Sequence, residues 1–186
     1  MKTDIKIKRI CVAAVFTALV FIITRFIQIP IPLGYFNIGN SIILLACLLI
    51  PMPYGVAVGS LGSALADLTS FPVYALPTLI IKALMPMVFY AIYRSKIKNE
   101  HVKGMVSAAI STLIPLVGYT ATGMILYGGF YAGLAQAPGL IIEYAANLVI
   151  YFIFQTLVYG IAGAIAVFQF FAPFNYVLFE FVVFFG

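Results

Sequence analysis

Four ionisable side chains stand inside otherwise apolar stretches of the sequence: Arg25, Asp67, Lys82 and Glu143. Charged groups are costly within a lipid bilayer, so residues kept there commonly serve a ligand site or pair with one another. Two carboxylates and two cations sum to neutral, and together they could line one cavity for a small polar molecule. Alternatively, Arg25 and Asp67 snorkel to the membrane surface, and Lys82 and Glu143 form a structural ion pair.

Further polar and aromatic residues suit a binding site. Glu143, Asn147 and Tyr151 are spaced four residues apart and therefore share one helix face. That face either contacts a ligand or hydrogen-bonds to a neighbouring helix. Tyr35 and Tyr74 lie in segments rich in Pro, Gly and aromatic residues. Their rings could stack on a flat heterocycle or belong to the aromatic belt at the membrane surface, and we expect Tyr74 to line a site.

The sequence lacks the residue patterns of a membrane enzyme. His101 is its only histidine, and it contains no zinc-protease, serine-hydrolase or phosphate-binding glycine motif. Cys11 and Cys47 each lie in an apolar run, which argues against a disulfide framework and against a metal site. We therefore predict a protein that is not an enzyme and that has no cofactor and no metal centre.

The composition is suited to lipid rather than to water. Of the 186 residues, 65% are hydrophobic and 8% are charged, whereas soluble domains average about 45–50% apolar and about 25% charged residues. We predict an all-α integral membrane protein, a single domain over residues 1–186 that contacts membrane lipid. The net charge of +5 comes mainly from two clusters that mark topology, so nucleic acid is not an expected partner.

Each helical span needs about 20 residues, which allows a bundle of six transmembrane helices. Breaks in the apolar pattern, mostly at Pro and Gly, predict helices at residues 6–27, 38–50, 54–70, 77–93, 103–127 and 139–171. Pro173 is expected to end the sixth helix. We assign no structure to the Phe-rich tail at residues 172–186.

The positions of lysine and arginine predict the orientation of the bundle. Eight of the ten lie in residues 2–9 and 94–103. Cytoplasmic loops collect these residues, and four helices between the two clusters place both on the same side. We therefore predict that the N- and C-termini are cytoplasmic. The four ionisable residues then lie in the outer third of the membrane.

Small residues mark faces where helices can approach closely in lipid. Ala14 and Ala18 form an alanine step on the first helix, and Gly55, Gly59 and Gly62 line the third. We expect the third helix to be central in the bundle. The first helix would offer its alanine face to another protein.

These residues resemble the substrate-binding S components of energy-coupling factor (ECF) transporters, which import vitamins into bacteria and archaea. The resemblance rests on the length, the six helices, the alanine step, and the strings GYFNIGN at residues 34–40, GSLGSALADL at 59–68 and PVYALPTLIIK at 72–82. It covers about residues 8–170. It implies a multi-pass protein of the cytoplasmic membrane that binds a vitamin and does not itself hydrolyse ATP.

By this resemblance, Ala14 and Ala18 would dock on a transmembrane coupling (T) subunit driven by two ATPase subunits. The segment from Tyr35 to Asn40 would form the lid and first pocket wall. The other implied pocket residues are Lys82, Glu143, Tyr144 and Asn147. A pyridoxine-like or hydroxymethylpyrimidine-like vitamin is favoured, with pantothenate and riboflavin open. The alternative function is a membrane scaffold of a cell-envelope complex.

Overall fold

The computed structural model describes the backbone of residues 2–31 and 33–185, and the side chains of residues 5–31 and 33–163. The described chain is helical except for one short hairpin and the connections between helices. Its elements are α1 (Lys2–Phe26), β1 (Ile29–Ile31), β2 (Gly34–Phe36), α2 (Gly39–Leu49), α3 (Met52–Ser70), α4 (Pro72–Tyr93), α5 (Glu100–Ser111), α6 (Leu113–Leu126) and α7 (Phe130–Phe185).

Six helical passages confirm the predicted all-α membrane bundle, because α5 and α6 form one passage. Together they span 27 residues, Glu100–Leu126. The passage is interrupted at Thr112, since Pro115 has no N–H to donate to the carbonyl of Ser111. Within the described residues, four segments are each long and apolar enough to cross a membrane: Ile5–Phe26 of α1, the whole of α4, the α5–α6 passage, and Phe130–Gly163 of α7.

The fourth and sixth predicted helices begin earlier in the structure than in the sequence-based prediction. Helix α4 starts at Pro72 and retains Pro77 in its interior. Helix α7 starts at Phe130, so most of the loop expected at residues 128–138 is helical, and it continues past Pro173. The predicted stop at Pro173 is therefore wrong. Proline is compatible with a first helical turn, and neighbouring groups allow it inside transmembrane helices.

The segment between α1 and α2 contains a β-hairpin that the sequence analysis did not anticipate. Ile29 pairs with Phe36 and Ile31 pairs with Gly34 in antiparallel register. Leu33, in the turn, has a φ of 61°. We call this end of the bundle, where the α3–α4 and α6–α7 connections also lie, the hairpin end.

Helix α3 is central, as expected, because it packs extensively against both α4 and α1. Close approach to α1 occurs at Gly62, where an added Cβ would lie 2.9 Å from the carbonyl oxygen of Thr17. The side chains of Val20, Ile43 and Phe89 are fully buried in the core around this contact. The core below and the hairpin above enclose a polar cavity.

Candidate ligand-binding site

A cavity of about 470 Å³, including its mouth, lies at the hairpin end of the bundle. Helices α1, α3, α4, α6 and α7 contribute to its wall together with the hairpin. The wall combines aromatic rings with three side chains that can carry charge, namely Asp67, Lys82 and Glu143.

A buried hydrogen-bonded row joins three of the predicted site residues. The Lys82 ammonium donates to the Asn40 side-chain oxygen. The amide nitrogen of Asn40 in turn donates to Glu143 Oε1 at 2.9 Å. All three side chains are at most 4% exposed. Lys82 and Glu143 therefore do not form the direct ion pair considered as the alternative, because Asn40 stands between them.

The backbone around Lys82 explains how its side chain reaches the cavity. Pro86 cannot donate a hydrogen bond to the carbonyl of Lys82, which leaves that oxygen free of the usual helical partner. Gly59 of α3 packs against it: an added Cβ at Gly59 would lie 2.7 Å from the Lys82 oxygen. The missing side chain thus lets α3 and α4 approach at the level of the cavity.

Asp67 links the hairpin to two helices. It accepts a hydrogen bond from the hydroxyl of Tyr35 on β2 and another from the hydroxyl of Thr78 on α4. The side chain is 4% exposed, so snorkelling to the membrane surface is ruled out for it. Burial and the adjacent Asp67 carboxylate raise the pKa of the Tyr35 hydroxyl, which keeps it protonated as the donor.

Two tyrosines extend this polar wall. The hydroxyl of Tyr74 donates to the backbone oxygen of Leu33 in the hairpin turn at 3.1 Å and accepts from Gln136 Nε2 at 3.0 Å. Tyr119 of α6 lies 3.0 Å from the Thr78 hydroxyl, and its ring centre is 5.4 Å from the Lys82 ammonium nitrogen. The hairpin is thereby tied to α3 and, through Tyr74, to α4 and α7.

Asn147 has a different position from the one predicted. Its side-chain oxygen accepts from the backbone N–H and the hydroxyl of Ser41, both at 2.8 Å, and its amide nitrogen donates to the Asn37 oxygen at 2.9 Å. Asn147 is fully buried and does not line the cavity. It satisfies the buried N–H of Ser41 in the first turn of α2, a helix that has no side-chain cap on its N-cap residue.

Three other residues singled out from the sequence lie outside the cavity wall. Tyr144 donates to the backbone oxygen of Ala109. Tyr151 is fully buried in the core, where its ring meets Phe89 edge to face. Arg25 lies over the ring of Phe26, so it does not complete the predicted four-charge cavity. Helical spacing placed Tyr151 on the correct face of α7 but two turns below the cavity.

Two cavity residues at helical spacing from predicted site residues were missed. Thr78 lies four residues before Lys82, within the helix predicted at 77–93, and Gln136 lies seven residues before Glu143, ahead of the helix predicted at 139–171. The spacing of Thr78 could have been recognised from the sequence, and that of Gln136 only with the correct helix start. Tyr119 on α6 gave no comparable signal, since only tertiary packing brings it beside Lys82.

A second, open concavity lies on the outer surface of α1 and α3. Ala14 and Ala18 are exposed there, beside Phe21. Leu65 and Leu68 of α3 form the opposite side. We call this surface the alanine groove. The small side chains leave room for close approach of another helix.

Comparison with known proteins identifies the family. The family model described as "ECF-type riboflavin transporter, S component" matches residues 4–173. The chain belongs to this family. An S component is the membrane-embedded vitamin-binding subunit of a transporter whose other members are a T subunit and ATPase subunits. Membership therefore confirms the resemblance, the transport function and the prediction that the protein is not an enzyme.

Two individual matches accompany the family model. A Pyrococcus woesei protein, described only as an uncharacterized protein in a gap 3′ region, is 32% identical over 132 residues, which cover 66% of this S component and 88% of the relative. A solved structure, described as "Structure and mechanism of the S component of a bacterial ECF transporter", superposes with a TM-score of 0.64 at 22% identity. It covers 86% of this chain and 98% of the other. That likeness establishes the S-component fold.

Proposed function

We propose that the cavity captures a small hydroxylated nitrogen heterocycle, of the pyridoxine or hydroxymethylpyrimidine class, for ATP-driven import by the partner subunits. The observation that carries this proposal is that Lys82 and Glu143, both in the wall of an aromatic-lined cavity, are joined by the buried side chain of Asn40 behind them. Buried polar groups that converge on a cavity are suited to fixing the orientation of a small ligand.

The carboxyl groups in the wall suit a ligand with a basic ring nitrogen. The cavity wall contains the carboxyl groups of Asp67 and Glu143 and one amine, that of Lys82. A pyridine or aminopyrimidine nitrogen can accept a hydrogen bond from a protonated carboxyl group or, once protonated, donate one to a carboxylate. The rings of Tyr119, Tyr74 and Tyr35 stand in the same wall and are suited to contact a flat heterocycle.

Riboflavin is the second candidate, because the family description names it. Its larger, neutral ring system would gain less from the two carboxyl groups. It would also need more space, and therefore a larger displacement of the hairpin. Direct competition between the two ligand classes distinguishes these candidates.

The decisive experiment measures binding of pyridoxine, hydroxymethylpyrimidine and riboflavin to the purified protein by equilibrium dialysis. We expect one of the first two to bind, and Lys82→Met to weaken that binding by at least about tenfold, or about 1.4 kcal/mol. Lys96→Met is the matched control, because Lys96 is exposed on the α4–α5 connection. Exclusive binding of riboflavin would contradict the proposed substrate class, and equal affinity of Lys82→Met and the parent would contradict the proposed site.

The hairpin forms part of the cavity wall, so its movement would widen the entrance. The ties that hold it are the hydrogen bond of Tyr35 to Asp67 and that of Tyr74 to Leu33. We propose that the hairpin end faces outside the cell and that ligand entry breaks both ties. The basic residues of the N-terminus and of the α4–α5 connection then face the cytoplasm, in agreement with the positive-inside rule.

We also propose that the alanine groove receives a helix of the T subunit. Ala14 and Ala18 are exposed, and the groove is apolar apart from the hydroxyls of Thr17 and Thr69. Close van der Waals packing at small residues is a main source of helix association in lipid. Energy for concentrative uptake would then reach the S component through α1 and α3, which also form part of the cavity wall.

A further inference from the structure

Two residues of the cavity wall, Thr24 on α1 and Ser63 on α3, carry buried hydroxyl groups. Neither hydroxyl has a hydrogen-bond partner within the described part of the chain. Thr24 is 2% exposed and Ser63 is 1% exposed. A buried hydroxyl without a partner is unfavourable, so each such group calls for a physical explanation.

Other hydroxyls in this protein show what Thr24 and Ser63 could have done instead. Most helical serines and threonines with described side chains donate to a carbonyl one turn earlier, as Thr17 does to Ala13 and Ser60 does to Val56, both at 2.8 Å. The hydroxyls of Ser41 and Thr78 instead donate to buried side chains at the hairpin end, those of Asn147 and Asp67. Thr24 and Ser63 make neither kind of bond.

The surroundings of Thr24 do not supply a partner from the protein. The backbone of Gly39 at the start of α2 packs directly against it: an added Cβ at Gly39 would lie 2.5 Å from Thr24 Oγ1. The N–H of Gly39 is already bonded to Asn37 Oδ1 at 2.7 Å. The Thr24 hydroxyl is therefore closed off on the α2 side and borders the cavity on another.

The same wall contains Ser63, which is on the helix that packs tightly against α1. Gly62, its neighbour, brings α3 into contact with Val20, one turn before Thr24 on α1. The two hydroxyls thus lie on the adjoining helices α1 and α3, whereas the row of Lys82, Asn40 and Glu143 is formed by α4, α2 and α7. Asp67, another residue of the cavity wall, lies one turn after Ser63 on α3.

We propose that Thr24 and Ser63 form a subsite for a hydroxyl group of the ligand. This inference rests on the proposed function and adds a determinant of specificity to the same cavity. A hydroxyl can both donate and accept, and so can each of these side chains, whereas a carboxylate only accepts and an ammonium only donates. A ligand hydroxyl can therefore act as donor or as acceptor toward either side chain. A site built in this way discriminates strongly against an analogue that lacks the hydroxyl, because its own polar groups then stay unpaired.

The test compares ligands that differ in their hydroxyl groups. Pyridoxine is paired with 4-deoxypyridoxine, in which one hydroxymethyl group is a methyl group, and riboflavin is paired with lumiflavin, which lacks the hydroxylated chain. Affinities are measured by equilibrium dialysis for the parent, Thr24→Val, Thr24→Ser, Ser63→Ala and Ser60→Ala. Ser60→Ala is the matched control on α3, because its hydroxyl is satisfied by its own helix.

We expect the parent to bind the hydroxylated member of a pair at least about tenfold more tightly than its analogue. Thr24→Val and Ser63→Ala should each reduce that preference to about threefold or less, mainly by weakening the hydroxylated ligand. Thr24→Ser, which retains a hydroxyl, and Ser60→Ala should keep the preference of the parent. Circular dichroism of each variant establishes that it is folded.

Three outcomes would overturn the subsite while leaving the proposed function intact. The first is a parent that binds both members of a pair equally well. The second is a preference that persists in both Thr24→Val and Ser63→Ala, and the third is a preference that Thr24→Ser loses as fully as Thr24→Val. Failure of the parent to bind hydroxymethylpyrimidine or any member of either pair would instead overturn the proposed substrate class, and the subsite with it.

Discussion

Removal of the Asn147 side chain is expected to destabilise the protein by loosening the junction between α2 and α7. The side chain makes three hydrogen bonds to other elements: two from the backbone and hydroxyl of Ser41 and one to the backbone oxygen of Asn37. Asn147→Ala would leave the Ser41 N–H and the Asn37 carbonyl without these partners in a buried region. The chain offers no other side chain at the same place on α7 to replace them.

The magnitude follows from these three bonds. Hydrogen bonds between transmembrane helices contribute about 0.6 kcal/mol on average, and buried hydrogen bonds in general contribute about 1 kcal/mol. Asn147→Ala should therefore cost about 2–3 kcal/mol in the free energy of unfolding. For a chain of this size, such a loss corresponds to a decrease of about 4–12 °C in the unfolding midpoint.

Thermal unfolding of detergent-purified protein, followed by circular dichroism at a helical wavelength, measures this decrease. Thr156→Ala is the control, because Thr156 is exposed on the same helix and donates only to the backbone oxygen of Phe152. We expect its midpoint to stay within about 2 °C of the parent. If Asn147→Ala unfolds at the same temperature as Thr156→Ala, Asn147 does not hold the start of α2 in place.

Three further predictions concern packing, topology and docking. Gly59→Ala should lower both the unfolding midpoint and ligand affinity, because its Cβ would lie 2.7 Å from the Lys82 carbonyl oxygen. Gly160→Ala should change neither, because an added Cβ there contacts nothing within 4 Å. Equal effects of the two substitutions would contradict the close packing of α3 against α4. Lys98→Cys should react with a membrane-impermeant thiol reagent only after the cells are opened, in a parent background lacking Cys11; labelling of intact cells would reverse the topology. Replacing Ala14 and Ala18 together with Trp should leave ligand affinity unchanged but abolish co-purification with the T subunit and ATP-dependent uptake, and full uptake by that variant would exclude the alanine groove as the docking surface.

The membrane bundle and part of its site were predictable because their causes are local in the sequence. Apolar runs longer than a bilayer crossing predict helices, and charges within such runs are conspicuous. Lys82, Glu143 and Asp67 were recognised in this way, and the structure brings all three to one cavity. Asn40 was reached only through the family resemblance, although it is the residue that joins Lys82 to Glu143.

The remaining features depend on interactions that a linear pattern does not contain. Pro77 and Pro173 were interpreted as helix boundaries, as prolines commonly are in soluble proteins, yet α4 includes Pro77 and α7 continues past Pro173. The hairpin strands have three residues each, which is too short for a recognisable alternation. Asn147 and Tyr151 share a helix face with Glu143, but they lie at different depths. Glu143 lines the cavity, Asn147 bonds to the start of α2, and Tyr151 lies in the core. Periodicity predicts the helix face on which a residue lies, whereas tertiary packing determines what surrounds it at each depth along that face.

We propose that this S component holds a vitamin in the cavity lined by Lys82, Glu143 and Asp67. Native mass spectrometry of the intact protein, purified from membranes of cells supplied with pyridoxine and hydroxymethylpyrimidine, tests this proposal most directly. We expect one small heterocyclic molecule per chain in the parent and its loss from Glu143→Gln, which keeps the size of the side chain and removes its carboxyl group. A parent that carries no small molecule, or a Glu143→Gln variant that carries as much as the parent, would contradict it.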